Sequence, residues 1–463
     1  MTPGLTYHAA VAALEERGRF GIRLGLGRTR ALLRELGNPE RQLRGVLIGG
    51  TNGKGSVLAL TGSALRTAGL RVGETPKPHL VSYRERLQIG GRPIEPEVFA
   101  ALVAEVLPVA DRVARRLGPP TEFELLTAML FAWFAAERVD VAVVEVGLGG
   151  RLDATHAWDG GVATITNVAL DHMDRLGSTI TAIAREKAAI IERGDRAVTG
   201  ATGDGLAVIR RRARRLGVTL AEAPPAPILG WDRDGLEVDL PRLGRTRVGL
   251  RGRHQAANVA VADATLDALV AAGIATVDAD ARRRGYAEAR WPGRLELLRV
   301  AGHDVLLDGA HNPAGAAALA VALDDLRPYL EPAPTGGSPG HGTASVPVTL
   351  VVGAMADKDV AGIAAALGRA ESLRGARILA TRVDLPRAMP AKELATILRA
   401  AMPAATVEAI DDVGRALEVA LDSAPGPVVV AGSLYLVGEA RRRWLDDPLV
   451  RDPEHQAGEV ARR

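Results

Sequence analysis

The feature that most limits the fold of this 463-residue chain is a repeated alternation between short apolar segments and longer helical patterns. The apolar segments are rich in β-branched residues, which is typical of buried strands in parallel sheets. Predicted strands cover residues 45–49, 139–146, 162–168, 305–308, 348–353, 377–380 and 427–432. Predicted helices cover residues 54–68, 123–137, 179–192, 254–271, 314–326 and 413–421. The alternation predicts the α/β class, in which helices cover mainly parallel sheets.

Chain length and breaks in this pattern indicate how the chain is divided. A chain of this length predicts two or three domains. The Trp-Pro-Gly-Arg segment at 291–294 ends one helical region just before a new series of strands and helices begins. We therefore expect a first domain over residues 1–293, a linker over 294–299 and a second domain over 300–447. Residues 331–346, rich in Pro, Gly, Ser and Thr, indicate a flexible surface insertion, and residues 448–463 a disordered polar tail.

Composition argues against several classes of function. The chain has no cysteine, which rules out disulfides and thiolate metal sites. Its formal net charge is +3, its basic residues are dispersed and aromatic residues make up 3%, which argues against nucleic-acid binding. The chain has no apolar run long enough to span a membrane, and its N-terminal segment lacks the pattern of a secretory signal. We expect a cytoplasmic monomer that binds small molecules and neither nucleic acid nor membrane.

The strongest local motif is Gly-Thr-Asn-Gly-Lys-Gly-Ser at residues 50–56, between a predicted strand and a predicted helix. Glycines let backbone amides surround phosphate oxygens, and the helix N-terminus adds unpaired N–H groups. In such a loop Lys54 would contact the outer phosphates and Ser56 a bound Mg²⁺. The strict P-loop spacing is not met, because Ile48 occupies the first glycine position and Gly55 separates Lys54 from Ser56. The alternative is a glycine-rich turn with an exposed lysine, which the flanking strand and helix disfavour.

Polar residues after two further predicted strands indicate a metal site. Glu145 lies at the end of the apolar run 139–146, and open α/β sheets bind ligands at the carboxyl ends of their strands. Its carboxylate can hold Mg²⁺ directly or through water. Asp171 and His172 follow the predicted strand 162–168 and would reach the same edge of the sheet. The plainer interpretation is a solvent-facing glutamate and two loop residues, so the hypothesis depends on their meeting the phosphate loop.

Lysine is rare in this chain, and one lysine falls on an apolar helical face. The five lysines are at positions 54, 77, 187, 358 and 392, so a retained lysine can mark a place where a guanidinium will not serve. In the predicted helix 179–192, the neighbours of Lys187 at three and four positions are Ile183, Ala184, Ile190 and Ile191. Burying an ammonium is costly unless it is paired or chemically changed. The alternative is that the side chain snorkels to the surface, and position alone leaves both open.

Three later segments carry weaker signals. They are His-Gln-Ala-Ala-Asn at 254–258, Trp-Pro-Gly-Arg at 291–294 and Asp-Gly-Ala-His-Asn-Pro at 308–313. The last follows an apolar strand and opens a helix, so its polar groups should face a cleft. A capping Asn or a turn Asp would account for each segment equally well.

Taken together, these segments resemble the folylpolyglutamate synthase/dihydrofolate synthase family, within the Mur ligase group. The resemblance extends to Leu-Gly-Leu at 24–26, Pro-His-Leu-Val-Ser-Tyr-Arg-Glu-Arg at 78–86, Glu-Val-Gly-Leu-Gly-Gly-Arg-Leu-Asp-Ala-Thr at 145–155 and Arg-Glu-Lys-Ala at 185–188. Further matches are Asp-Lys-Asp at 357–359, Pro-Arg-Ala at 386–388 and Gly-Ser-Leu-Tyr-Leu-Val-Gly-Glu at 432–439. The resemblance implies the Mur ligase architecture, an N-terminal P-loop ATPase domain with a parallel-rich sheet followed by a C-terminal Rossmann-like domain.

The resemblance also implies roles for individual residues and names the cofactors and substrates. Lys187, Asp308 and His311 would take part in catalysis, with Lys187 carbamylated so that it helps to hold a second Mg²⁺. ATP, one or two Mg²⁺ ions, folate or dihydropteroate, and L-glutamate would be bound. The expected binding residues are, for ATP, Asn52, Gly53, Lys54, Gly55, Ser56, Asn258, Arg294 and Asp308; for metal, Ser56, Glu145, His172 and carbamylated Lys187; for folate or pterin, Thr121, Glu122, Phe123, Glu124, Leu152 and Asp153; and for glutamate, His311 and Ser433.

The sequence departs from the family pattern at two positions. Relatives usually carry Thr-Ser-Pro-His-Leu, in which the serine ligates Mg²⁺, whereas residues 75–80 read Thr-Pro-Lys-Pro-His-Leu and place Lys77 at the serine position. An ammonium cannot ligate a cation, so this metal site is expected to be altered, or Lys77 to take over part of its electrostatic role. His156 stands where relatives commonly carry asparagine. Neither change removes the phosphate loop or Lys187.

The implied activity is ATP-dependent ligation of L-glutamate to (tetrahydro)folate through an acyl phosphate, with conversion of dihydropteroate to dihydrofolate as a possible second activity. Two alternatives stay open. Another Mur-type amino-acid ligase, such as a peptidoglycan-precursor ligase, shares the ATPase core but usually carries a separate UDP-sugar domain before the phosphate loop, and 49 residues precede Gly50 here. A non-catalytic nucleotide-binding regulatory protein would account for residues 50–56 but not for Lys187, residues 308–311 or Ser433.

Overall fold

The protein consists of sheets with mainly parallel strands that are covered by helices, as the alternation of apolar segments and helical patterns predicts. The computed structural model describes residues 5–18, 21, 23–330, 346–422 and 426–453, which fall into two compact units. The first unit takes its described residues from 1–226, 257–288 and 447–463, and the second from 227–256 and 289–446. The predicted linker at 294–299 thus lies inside the second unit. The predicted insertion at 331–346 lies outside the described residues, except for Val346. Of the predicted tail, residues 448–453 are described and residues 454–463 lie outside the described residues.

The first unit is built on one eight-stranded sheet. Its strands are β1 (Gly45–Gly49), β2 (Val72–Thr75), β3 (Gln88–Ile89), β4 (Arg92–Pro93), β5 (Val141–Glu145), β6 (Gly161–Ile165), β7 (Arg196–Thr199) and β8 (Thr219–Glu222). They are ordered β4-β3-β2-β5-β1-β6-β7-β8 and pair in parallel from β2 to β8. The central strands β2, β5 and β1 are fully buried. Burial on both faces explains the apolar runs of β1 and β5, whereas β2 reads Val-Gly-Glu-Thr and was not predicted as a strand.

Helices cover this sheet. They are α1 (Tyr7–Gly18), α2 (Gly27–Glu35), α3 (Lys54–Thr67), α4 (Pro96–Leu117), α5 (Glu122–Ala136), α6 (Met173–Leu176), α7 (Ile180–Ala188), α8 (Gly203–Leu216), α9 (Gln255–Ala271) and α10 (Ala279–Glu288). Short 3₁₀ helices occur at Pro39–Gln42, Tyr83–Arg86 and Ala154–Ala157. A hydrophobic core extends from Tyr7 to Val218 beneath these helices.

The helix α7 is shorter than predicted. It ends at Ala188 rather than at residue 192, because the amides of Ile190 and Ile191 bond to Lys187 O and Ala188 O and tighten the last turn. Asp195 then accepts a hydrogen bond from the Glu192 amide and closes the following turn. Ile190 and Ile191 are buried all the same, although they lie beyond the helix.

The second unit contains a six-stranded sheet with its own core. Its strands are β12 (Glu296–Val300), β13 (His303–Leu307), β14 (Thr349–Val352), β15 (Arg377–Thr381), β16 (Thr406–Ile410) and β17 (Val428–Ala431). They are ordered β12-β13-β17-β14-β15-β16, and all but β12 pair in parallel. The helices are α11 (Pro313–Leu326), α12 (Val360–Leu367), α13 (Ala391–Ala401), α14 (Val413–Asp422) and α15 (Leu434–Trp444), with 3₁₀ turns at Arg327–Tyr329 and Glu371–Leu373.

A three-stranded antiparallel sheet precedes this series and was not predicted. Its strands are β9 (Ile228–Asp232), β10 (Gly235–Leu240) and β11 (Gly244–Val248). Their charged residues pair across neighbouring strands, as Glu237 does with Arg245, and only alternate residues of β10 are consistently buried. Such half-exposed strands lack the continuous apolar run by which the parallel strands were recognised. Within the described residues, no helix is both long and apolar enough to cross a membrane.

Candidate active site

The phosphate-loop motif connects β1 to α3, and glycine is required at two of its positions. A Cβ at Gly50 would lie 1.9 Å from Thr166 Oγ1, and one at Gly53 would lie 2.2 Å from Asn258 Oδ1. The backbone at Gly53 has φ = 80°, in the left-handed region that residues other than glycine rarely adopt. The loop is therefore packed tightly against residues that come much later in the sequence. One of them, Asn258 on α9, is a predicted ATP-binding residue.

Two residues that the sequence analysis missed hold the middle of this loop. The Asn52 amide donates to Asn167 Oδ1 at 3.0 Å, and Asn167 Nδ2 donates to Asn52 O at 3.0 Å. Thr166 Oγ1 also donates to Asn52 O, at 2.6 Å. Both residues follow β6, the strand beside β1. The predicted strand 162–168 included both residues, whereas β6 ends at Ile165 and leaves them in the loop that follows it.

Two lysines converge on one carbonyl oxygen of the loop. Lys54 Nζ donates to Gly50 O at 3.1 Å and to Thr51 O at 3.0 Å, and Lys187 Nζ donates to the same Gly50 O at 2.9 Å. The side chain of Lys187 therefore crosses from α7 to the phosphate loop. This arrangement concentrates positive charge where a helix N-terminus already favours anions.

The sequence left burial and exposure of Lys187 both open, and the structure shows that the residue is buried, with only 4% of it exposed. Burial, together with the charge of Lys54, lowers the pKa of Lys187 to about 7, while the charges of Asp171 and Asp153 oppose the shift. The amine is thus much closer to its neutral form at physiological pH than an ordinary lysine. A neutral amine is the form that reacts with electrophiles such as CO₂.

Glu145 ends β5 at the edge of the sheet from which the phosphate loop emerges. The parallel register places Glu145 opposite Ile48 of β1, and the carboxylate is buried. Its Oε2 accepts the backbone N–H of Lys77 at 3.0 Å. Burial lowers the pKa of Lys77 to about 8, a shift that the carboxylates of Asp153 and Glu145 oppose.

His172 lies on an exposed loop rather than in a preformed metal cluster. It has φ = 49°, its side chain is 43% exposed and its ring nitrogen lies 3.9 Å from Asp171 Oδ2. Across the described part of the chain, no three His, Asp or Glu side chains are grouped so as to hold a metal ion. Mg²⁺ does not require such a group, because it is usually bound by one or two carboxylates together with water and substrate phosphates. The buried hydroxyl of Ser56 and the carboxylate of Glu145 fit that pattern.

Two of the predicted folate residues also have a structural role at the start of α5. Thr121 Oγ1 accepts the Glu124 amide, and the Glu124 carboxylate accepts the Thr121 amide at 2.8 Å, which forms a capping box. Arg28 Nε donates to both oxygens of Glu124 at 3.0 Å. These contacts place Phe123 in the first turn of α5 with its ring 4.6 Å from the ammonium of Lys77.

The remaining predicted folate residues differ in their surroundings. Asp153 is buried and accepts hydrogen bonds from the amides of Leu148 and Thr155. Leu152 is partly buried, and its carbonyl accepts the Gly25 amide. Glu122 lies 3.8 Å from Arg86. Phe123 and Asp153 meet at Gly147, where a Cβ would come within about 3 Å of both side chains.

The loop at residues 78–86 is braced by its own side chains and by residues near the end of the chain. Glu85 accepts the amides of residues 80, 81 and 82. The buried guanidinium of Arg84 donates to the carbonyls of Leu449 and Arg451, each at 2.9 Å. Ser82 Oγ donates to Asp452 at 2.5 Å. Residues 449–452, part of the predicted tail, thus pack against this loop.

In the second unit, the predicted residues gather at the carboxyl ends of β13 and β17. These strands pair in parallel, with Leu307 opposite Val430, so Asp308 and Ser433 follow neighbouring strands. A Cβ at Gly309 would lie 2.3 Å from both Arg294 Nη1 and Leu434 Cδ2, which places Arg294 against this segment. His311 Nδ1 lies 2.8 Å from Gly309 O, and Ser433 Oγ caps α15 by accepting the Tyr435 amide.

Asp308 is held rigidly within this group. Its two carboxylate oxygens accept the amides of Leu295 and Ala310, both at 2.9 Å. Burial raises the pKa of Asp308, against the lowering effect of the Arg294 charge and of these two hydrogen bonds. A buried carboxylate beside an arginine, with a histidine three residues along the chain, is suited to binding a ligand that carries both charges.

Comparison with known proteins agrees with this arrangement. A profile of the Mur ligase middle domain matches residues 48–266, and a profile of the C-terminal domain of dihydrofolate synthetase matches residues 295–443. A phosphate loop on one parallel sheet, followed by a second α/β unit, has the architecture of a Mur-type ligase.

Relatives of known name narrow this class. The dihydrofolate synthase/folylpolyglutamate synthase of Bacillus subtilis is 34% identical over 94% of this chain and 99% of its own length. A Haloferax volcanii protein named "Probable bifunctional folylpolyglutamate synthase/dihydropteroate synthase" is 35% identical over 95% of this chain, which spans 51% of that protein's length. The solved structure of Mycobacterium tuberculosis folylpolyglutamate synthase complexed with ADP and AMPPCP matches 96% of this chain and 100% of its own with 33% identity and a TM-score of 0.80. The chain belongs to the folylpolyglutamate synthase/dihydrofolate synthase family.

Proposed function

We propose that this protein is an ATP-dependent ligase that joins the amine of L-glutamate to a carboxylate of a folate. The observation that carries the proposal is the convergence of Lys54, Lys187 and the Asn167-braced loop at Gly50, at the sheet edge where Glu145 ends its strand. The family to which the chain belongs supplies the reaction. The relative bound to ADP and AMPPCP supports ATP as the nucleotide.

The chemistry follows from the poor reactivity of a carboxylate toward an amine. The folate-side carboxylate first attacks the γ-phosphorus of ATP, which forms an acyl phosphate and releases ADP. The glutamate amine then attacks the acyl carbon, and the tetrahedral intermediate expels phosphate to leave an amide. The protein contributes by positioning the substrates and by neutralising the charge of the phosphates. The phosphate loop and Lys54 would bind the triphosphate. Asn258, packed on Gly53, would contact the nucleotide beside them.

Ser56 and Glu145 would hold Mg²⁺, with His172 as a further ligand if the loop that carries it moves inward. The ion would supply a positive charge that neutralises the phosphate oxygens. We further propose that Lys187 is carbamylated and ligates a second Mg²⁺. Its burial and lowered pKa favour the neutral amine that carbamate formation needs. Carbon-13 NMR with labelled bicarbonate should give a carbamate signal that is lost in Lys187→Arg, and an identical spectrum for both proteins would refute the carbamate.

For the other substrates, we propose sites from the same residues that the family resemblance selected. Phe123, Asp153 and their neighbours Thr121, Glu122, Glu124 and Leu152 would line the folate site. His311 and Ser433 would receive glutamate, with Asp308 and Arg294 supporting the nucleotide and the reacting groups. The rigid hydrogen bonding of Asp308 favours a fixed, preorganised role for it.

A second activity, conversion of dihydropteroate to dihydrofolate, is favoured by the double name of the B. subtilis relative. The same kind of bond would form, an amide between the glutamate amine and the carboxylate of dihydropteroate, which does not yet carry a glutamate. Neither another Mur-type ligase nor a regulatory nucleotide-binding protein has a specific observation in its favour.

Purified full-length protein with ATP, Mg²⁺ and labelled glutamate tests the proposal. We expect amide product and ADP to form together, and only when both a folate and glutamate are present. Parallel reactions with tetrahydrofolate and dihydropteroate distinguish one activity from two. ATP hydrolysis that needs neither substrate, or activity with a different acceptor acid, would contradict the proposed function.

A further inference from the structure

Lys77 places a fixed cation beside Glu145 that the reaction outlined above does not use. Its ammonium donates to the main-chain carbonyl oxygen of Glu145 at 2.6 Å, and its backbone N–H donates to Glu145 Oε2 at 3.0 Å. The same ammonium lies 4.6 Å from the centroid of the Phe123 ring. A lysine side chain is normally flexible, but these contacts hold this one at a single place.

The direct partners of this ammonium are neutral groups. Within the described part of the chain, no carboxylate forms an ion pair with Lys77, although the charges of Asp153 and Glu145 favour its protonated form. Asp153 meanwhile accepts backbone and hydroxyl hydrogen bonds from Leu148 and Thr155. An ammonium has three N–H donors and binds a carboxylate more strongly than a carbonyl. The arrangement therefore suits an anion that comes from a ligand.

The sheet topology determines where that anion would lie. Lys77 follows β2, Glu145 ends β5 and the phosphate loop follows β1, and these three strands are neighbours in the order β2-β5-β1. The Lys54 charge acts on Lys77 from the phosphate-loop side, while Phe123 contacts it from α5. The ammonium thus lies between the phosphate loop and the segment in which folate is proposed to bind.

The reaction needs a cation at that place. A carboxylate that attacks the γ-phosphorus must approach a group that is itself negatively charged, and preorganised cations are the usual means of reducing this repulsion. The carboxylate must also be held in line with the bond that breaks.

We propose that Lys77 binds the folate-side carboxylate that accepts the phosphoryl group and orients it toward the γ-phosphate. This inference rests on the proposed ligase function and adds a substrate-binding residue to it. The hydrogen bond to the Glu145 carbonyl and the contact with the Phe123 ring fix the ammonium, and the bond from the Lys77 backbone N–H to the Glu145 carboxylate fixes the main chain. Lys77 then recognises the charge of the acceptor, so that an acceptor whose carboxylate is neutralised is bound less well.

The test compares a carboxylate ligand with its neutral counterpart in four full-length proteins. Binding of dihydropteroate and of its carboxamide is measured by calorimetry in the wild type, Lys77→Met, Lys77→Arg and Lys392→Met. Methionine keeps an aliphatic stem against Phe123 without the charge, and arginine keeps the charge. Lys392 is an exposed residue of α13 and serves as the control. Binding of the ATP analogue AMPPCP is measured in parallel.

We expect the wild type and Lys392→Met to bind the carboxylate about 10- to 100-fold more tightly than the carboxamide, the range for one hydrogen bond to a charged group. Lys77→Met should bind both equally and AMPPCP normally, while Lys77→Arg should retain part of the preference. If Lys77→Met is unstable, Lys77→Gln replaces it. An undiminished preference in the uncharged variant, or an equal loss of AMPPCP binding, would overturn the role of Lys77. A wild type that binds neither dihydropteroate nor tetrahydrofolate would instead count against the proposed function itself.

Discussion

At the scale of single residues, the fold brings two lysines that are far apart in sequence to one carbonyl oxygen. Gly50 O accepts hydrogen bonds from Lys54, four residues away, and from Lys187, 137 residues away. Each amine repels the other, and the burial of Lys187 lowers its pKa. Such an accumulation of positive charge is costly for a folded protein unless anions bind there. The residues therefore indicate a polyanionic ligand before any comparison is made.

Lys54→Ala should abolish ATP turnover and leave the fold intact. The side chain bonds only to loop carbonyls within the described residues, so its removal leaves no buried charge unpaired. We expect a loss of at least about 100-fold in ADP formation, as for removal of one preorganised charge, with an unchanged circular dichroism spectrum. Lys392→Ala, on the exposed face of α13, should keep normal activity. Normal ligation by Lys54→Ala would mean that the phosphate loop is wrongly assigned.

Gly53→Ala should weaken nucleotide binding and destabilise the protein by about 1–3 kcal/mol. Its Cβ would lie 2.2 Å from Asn258 Oδ1, in addition to the strain of φ = 80°. Gly69→Ala is a matched control, because Gly69 has φ = 85° and nothing within 4 Å of the added methyl group. Thermal unfolding and AMPPCP binding should separate the two variants, and equal effects would show that the contact with Asn258 is unimportant.

At the scale of elements, features that depend on local sequence pattern could be predicted, whereas contacts that depend on strand order could not. The strand at 45–49 and the loop after it follow from nearby residues alone, and both are confirmed. The residues near Lys187 left its burial open, and the structure shows that it is buried. The bracing of Asn52 by Asn167 depends on β1 lying beside β6, and the contact of Lys77 with Glu145 depends on β2 lying beside β5. Strand order is set by packing over the whole sheet, so neither contact could be read from the sequence.

The turn after α7 should make stability depend on pH. Burial, and the neighbouring Asp159, raise the pKa of Asp195 to about 8, far above its unfolded value near 4. Between these values the folded protein binds a proton that the unfolded chain has lost, so the free energy of unfolding falls as pH rises. Asp195→Asn keeps an acceptor for the Glu192 amide and removes this dependence.

Denaturant unfolding of both proteins at pH 5.5 and pH 8.5 measures the effect. The free energy of unfolding of Asp195→Asn, relative to that of the wild type, should rise by on the order of 2 kcal/mol from pH 5.5 to pH 8.5, allowing for partial screening by solvent. Asp384→Asn, at an exposed position, should show no such change. If the difference in free energy of unfolding between the wild type and Asp195→Asn is the same at both pH values, Asp195 is ionised in the folded protein at both.

At the scale of the whole molecule, the last described residues of the chain return to the first unit. Leu449, Arg451 and Asp452 bond to Arg84 and Ser82 in the loop that continues from Lys77. The buried guanidinium of Arg84 also donates to Ile94 O at 3.0 Å, so three main-chain carbonyls surround it. The loop beside the proposed folate site is thus stabilised by the opposite end of the chain.

Truncation after residue 446 should therefore lower stability and weaken folate binding. Arg84 would lose two of its buried acceptors, which costs on the order of 2–4 kcal/mol for a charged donor. Truncation after residue 453 keeps every one of these contacts and is the control. Thermal unfolding and dihydropteroate binding should change only in the shorter protein. If both truncated proteins match the full chain, the contacts of residues 449–452 contribute nothing to the loop.

The central claim is that ATP phosphorylates the folate-side carboxylate before glutamate attacks. It is tested most directly with a folate acceptor whose carboxylate oxygens carry a heavy isotope, followed by mass analysis of the released phosphate. An acyl phosphate predicts that one labelled oxygen appears in inorganic phosphate for each amide bond formed. Phosphate that contains no label, or label that appears in AMP instead, would contradict the account.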